Sequence, residues 1–115
     1  MQRICRMLSG PGVSFELFPP KTPHGMEKLL AAMNDLASLS PRFVSVTSGA
    51  GGTGREEDTM AVVDSVMAAT GLPVMPHLTC VGHTRARIVE LLDEYAEHGV
   101  ENILALGGDP PADGS

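Results

Sequence analysis

The hydrophobic pattern changes period several times along the chain. Val13-Ser-Phe-Glu-Leu-Phe18 alternates apolar and polar positions and stops at Pro19-Pro20. Phe43-Val-Ser-Val-Thr-Ser48 repeats the alternation and runs into Gly49-Ala-Gly-Gly-Thr-Gly54. Val74-Met-Pro-His-Leu-Thr79 is a third such segment, and Val100–Leu106 a fourth, halted by Gly107-Gly108. Alternation and β-branched content predict four strands. Their starts are spaced by roughly thirty residues, the length of a strand–helix unit that returns to a parallel neighbour.

Helical periodicity fills the gaps. Met26, Leu29, Leu30, Met33, Leu36 and Ala37 form a stripe, with Thr22-Pro23 as its cap and Ser40-Pro41 as its end. A second stripe carries Met60, Val63, Val66 and Met67, with Glu56, Glu57 and Asp58 in the first turn, where the helix dipole favours anions. Gly71 supplies its left-handed stop. The third helix starts at Thr84, is expected to bury Ile88, Leu91, Leu92 and Tyr95, and ends at Gly99. The order is βαβαβαβ, with parallel strands because every connection contains a helix.

Two architectures accommodate that order, an open doubly wound sheet and a (β/α)8 barrel. Residues 1–12 read as an N-terminal extension and residues 13–115 as one α/β unit without a linker. Four strands are half a barrel, so both sheet edges would lie open, and a homo-oligomer or an aggregation-prone half-barrel is expected. Val13, Phe15, Val44, Val46 and Ile103 are the strand residues expected to be exposed.

Composition narrows the partners. Eight Lys and Arg against 14 Asp and Glu give a formal charge of −6, and aromatics are three Phe and one Tyr. That argues against a nucleic-acid groove or an anionic membrane surface. No apolar run approaches the ~20 residues of a membrane span. The N-terminus lacks the apolar core of a secretory signal, so a cytoplasmic location is expected. Cys5 and Cys80 form no metal signature and no disulfide framework.

Active sites of parallel α/β folds assemble beyond the C-terminal ends of the strands. There the chain places Glu16, Thr47, His77 and Asp109, one per strand. Each also has a structural reading. Glu16 between two apolar neighbours on a buried strand is costly unless used. Thr47 is an ordinary strand residue, His77 could be a hydrogen-bonded core histidine, and Asp109 could be a turn residue. Glu16, His77 and Asp109 together would suit Mn²⁺ or Fe²⁺ in a metal-dependent lyase or hydrolase, although no paired-His motif supports it. The loop Gly49–Gly54 lacks the spacing of a phosphate-binding or dinucleotide fingerprint and reads equally as a plain connection. His24, His83 and His98 fall at helix ends and read as solvated.

Four stretches taken in order resemble the methylenetetrahydrofolate reductase family. They are Ser14-Phe-Glu-Leu-Phe-Pro-Pro-Lys21, Phe43-Val-Ser-Val-Thr47 with Gly49-Ala-Gly-Gly52, Pro76-His-Leu-Thr-Cys80, and Asn102-Ile-Leu-Ala-Leu106 with Gly108-Asp-Pro-Pro111. The resemblance implies a (β/α)8 TIM barrel, of which this chain would be the N-terminal half. It implies a flavoprotein of one-carbon metabolism and methionine biosynthesis. In that family FAD, reduced by NADH or NADPH, passes hydride to 5,10-methylenetetrahydrofolate and yields 5-methyltetrahydrofolate.

Carried over by motif, Glu16 matches the general acid that protonates the folate's bridging nitrogen, and Asp109 the acidic residue beside flavin and pterin. Thr47, Ser48, Ala50, His77, Leu106, Gly107, Gly108 and Asp109 match cofactor-contacting positions; no metal is implied. Ser48 stands where the family commonly has an aromatic, and Gly107 where it commonly has Arg. As 115 residues the chain is expected to be an inactive fragment, or else a non-catalytic half-barrel.

Overall fold

A computed structural model describes residues 3–7, 10–48 and 56–108. Four strands alternate with three helices: β1 (Ser14–Leu17), α1 (Pro23–Ala37), β2 (Phe43–Val46), α2 (Glu56–Thr70), β3 (Val74–Thr79), α3 (Arg85–Glu97) and β4 (Leu104–Leu106). The strands lie in the order β1-β2-β3-β4, all parallel, with Phe15 beside Val44, Val44 beside Val74, and Leu78 beside Ala105. Each strand therefore sits next to its predecessor in the chain. A doubly wound sheet reverses direction at a switch point; this sheet never does. It is a partial (β/α) barrel.

Local chemistry sets the helix boundaries. The Thr22 hydroxyl accepts a 3.0 Å hydrogen bond from the Gly25 amide, with Pro23 at the first helical position. Thr84 does the same for α3 through the Arg87 amide at 3.1 Å. Gly71 follows α2 with φ +69°. Glu56, Glu57 and Asp58 occupy the first turn of α2.

All three helices cover one face of the sheet. Leu17, Val44, Val46 and Val74 pack there against Met33 of α1, Val62, Val63 and Val66 of α2, and Tyr95 of α3. Val44 and Val46 are thus fully buried, contrary to the exposure expected for them. Alternation establishes that a strand has two faces, but only the helices decide which one is covered. Val13 is exposed, as expected; Phe15 and Ile103 are intermediate.

Two other differences have local causes. The fourth strand holds three residues rather than seven. Its expected first residue, Val100, instead donates its amide to the Tyr95 carbonyl at 3.0 Å and closes the end of α3. In α3, Leu91 and Tyr95 are buried one turn apart, whereas Leu92 points about 100° away and remains 40 % exposed.

The N-terminal segment crosses the opposite end of the sheet from the candidate site. A single 3-10 turn, Ile4–Arg6, buries Ile4, whose amide donates to Asn102 Oδ1 at 2.8 Å. The Arg42 guanidinium donates to the carbonyls of Met7 and Pro11. No helix among the described residues is long and apolar enough to cross a membrane.

Candidate active site

The face of the sheet away from the helices carries the alternate residues of each strand: Glu16 on β1, Ser45 on β2, Met75, His77 and Thr79 on β3, Leu104 and Leu106 on β4. Parallel register brings members of this set together. Glu16 lies beside Ser45, His77 beside Leu104, and Thr79 beside Leu106. The result is a polar pair in an otherwise mixed surface. His77 Nε2 stands 3.5 Å from Glu16 Oε1, reaching across β2.

The two partners differ in setting. The His77 side chain is buried, while that of Glu16 is 53 % exposed. Burial cost is therefore no argument for using Glu16. Its carboxyl stands at a solvent-facing edge, where a bound molecule could reach it, and the buried His77 imidazole stands behind it.

Thr47 follows β2 and is held through its backbone. Its amide donates to the Leu17 carbonyl at 2.9 Å, and its carbonyl accepts from the buried Thr59 hydroxyl at 3.0 Å. Ser48 is buried, with Oγ 2.6 Å from Thr79 Oγ1. Beyond the strands, the Cys80 amide donates to the Leu106 carbonyl at 2.8 Å and the Val81 amide to Gly107 at 3.1 Å. This pairing carries Leu106, Gly107 and Gly108 to the same end of the sheet as Glu16, Thr47 and His77. Ala50 and Asp109 lie outside the described residues.

The end of β4 is open to an approaching ligand. Leu106 is an exposed apolar side chain. Next to it, a Cβ built on Gly107 would meet nothing within 4 Å. An accessible apolar patch beside a bare backbone leaves room for a ring to approach closely. Among the described residues, no three His, Cys, Asp or Glu side chains gather as a metal-binding group.

Two histidines read as solvated are held in place. His83 Nε2 stands 2.9 Å from Glu56 Oε1 and is only 20 % exposed, so it is not solvated. His98 Nδ1 stands 2.8 Å from Asp64 Oδ1. They tie the two ends of α3 to α2, and His98 borders a cavity of about 430 Å³ lined also by Glu56, Met60, Asp64 and Arg87. That cavity lies between the helices, away from the strand ends. Sequence reasoning also misses Thr79, because a threonine inside a strand gives no signal until its hydroxyl partner is seen.

Strand order, one-sided helices and an acid–imidazole pair at the strand ends define the class, a (β/α)-barrel protein with its candidate site in the usual place for that fold. The family model of methylenetetrahydrofolate reductase matches residues 3–115, and the chain belongs to that family. The 5,10-methylenetetrahydrofolate reductase of Escherichia coli strain K12 is 40 % identical over 114 residues, covering 98 % of this chain and 38 % of the relative. That of Pectobacterium carotovorum is 39 % identical over 113 residues, covering 98 % of this chain and 38 % of the relative. The Arabidopsis thaliana protein called methylenetetrahydrofolate reductase (NADH) 1 is 39 % identical over 98 residues, covering 85 % of this chain and 16 % of the relative. The chain thus spans 38 % of the length of these bacterial relatives.

Proposed function

We propose that these residues are the first half of a barrel that reduces 5,10-methylenetetrahydrofolate to 5-methyltetrahydrofolate, with residues 1–12 as an extension ahead of it. The observation that carries this reading is the approach of Glu16 to His77, 3.5 Å apart, in a chain of this family. FAD, when bound, supplies the hydride that NADH or NADPH delivers to it. The chain's residues bind, orient and protonate. Glu16 holds the proton given to the folate's bridging nitrogen, so that the five-membered ring opens to the iminium that accepts hydride. His77 orients the Glu16 carboxyl. Thr47, Ser48, Ala50, Leu106, Gly107 and Gly108 would hold the cofactor, and Asp109 would supply a negative charge to stabilise the cationic folate. The site belongs to a cytoplasmic protein.

The test is Glu16→Gln in the chain joined to the remaining barrel units of a relative. Folate reduction should fall about 10²–10⁴-fold, the range for losing a general acid, while flavin reduction by the nicotinamide donor continues. Loss of both half-reactions together would overturn the acid role.

A further inference from the structure

Thr79 lies at the end of β3, between the two segments that the proposed function turns toward the cofactor. Its side chain is buried and engages both at once. On one side Oγ1 shares a 2.6 Å hydrogen bond with Ser48 Oγ, at the end of β2. On the other, its methyl group occupies the space where a side chain at position 108 would go: a Cβ on Gly108 would lie 2.5 Å from Thr79 Cγ2. Gly108 has φ +87°, so its backbone is already in a conformation that favours glycine. The amides of Cys80 and Val81, immediately after Thr79, pair with the carbonyls of Leu106 and Gly107.

We infer that Thr79 is a positioning residue that makes the ends of β2 and β4 move as one, so that Ser48 and Gly107-Gly108 meet the cofactor in a fixed relation. The cofactor part of this inference rests on the proposed function; the coupling itself does not. Ser48 is turned inward to Thr79, which is how a small hydroxyl residue serves a position commonly aromatic in the family. Removing either hydroxyl strands the other in a buried place, and the loosening should pass through Thr79 to a strand that Ser48 is not bonded to.

The experiment is amide hydrogen exchange on the 115-residue chain, with Thr79→Val, Thr79→Ser and Ser48→Ala against the parent. Ser48→Ala and Thr79→Val should each speed exchange about two- to tenfold, the loss of one buried hydrogen bond, at Phe43–Ser48 and also at Leu104–Gly108. Thr79→Ser, which keeps the hydroxyl, should leave Phe43–Ser48 at the parent rate. Amides in α1 should not change in any variant, which separates coupling from general destabilisation. An effect of Ser48→Ala confined to β2, or faster exchange in α1 as well, overturns the inference. FAD titration of the same substitutions in the chain joined to the remaining barrel units of a relative tests the cofactor part: Ser48→Ala and Thr79→Val should weaken binding by similar factors that do not multiply in the double variant. A parent so joined that takes up no FAD counts against the flavin reading, while the exchange pattern still decides the coupling.

Discussion

Gly107 and Gly108 adjoin in sequence but face different constraints. A side chain on Gly107 would enter open space, whereas a Cβ on Gly108 would strike Thr79 and Val81 with the backbone at φ +87°. Gly107→Arg, which restores the residue common in the family, should therefore change stability by no more than about 0.5 kcal/mol in urea unfolding. Gly108→Ala should cost about 1–3 kcal/mol by the same measurement, from backbone strain and steric overlap together. Ser48→Tyr is not a simple restoration, because it must break the hydroxyl pair with Thr79. The candidate residues were legible in the sequence as polar positions at strand ends. Which of them are buried was not, since Glu16 and His77 sit in similar apolar runs and only their neighbours in space distinguish them.

At the scale of an element, α3 shows how much the ends and the interior differ. Its start is written in Thr84, whose hydroxyl caps the Arg87 amide. Thr84→Ala should lower stability by about 1 kcal/mol. Its interior holds a less favourable feature. Tyr95 is buried and its hydroxyl has no hydrogen-bond partner among the described residues. Burial, with lesser contributions from the carboxylates of Glu56, Glu94 and Asp64, raises the phenol well above its usual range. An unfolded tyrosine ionises near pH ~10 and the folded one resists, so the native state binds more protons above that pH. Stability is then fully present below pH ~10 and falls as pH rises beyond it. Tyr95→Phe should flatten this alkaline loss and leave stability at pH 7 unchanged or slightly raised, because it removes an unsatisfied buried hydroxyl. Urea midpoints at neutral and alkaline pH would show it; an equal alkaline loss in parent and variant would contradict it.

At the scale of the molecule the decisive feature is a sheet whose helices, among the described residues, lie on one face only. Among the described residues β1 and β4 each have a single neighbour, and Leu104 and Leu106 are exposed on the open face. Unpaired edges and exposed apolar strands favour association. We expect the purified 115-residue chain to sediment as a dimer or larger species, against the opposing repulsion of a formal charge of −6. A compact 12.1 kDa monomer that unfolds cooperatively would refute this.

The sequence by itself determined the alternation of strands and helices, the caps at Thr22 and Thr84, the stop at Gly71 and the parallel direction of the strands. These follow from local periodicity, local hydrogen bonding and the length of each connection. Tertiary structure decided the rest. Strand order separated a barrel from a doubly wound sheet, and helix placement chose which face of β2 to bury. Closing α3 took Val100 out of the fourth strand, and the meeting of β2, β3 and β4 gave Thr79 its two partners. Each depends on contacts between residues far apart in the chain, which no periodicity encodes.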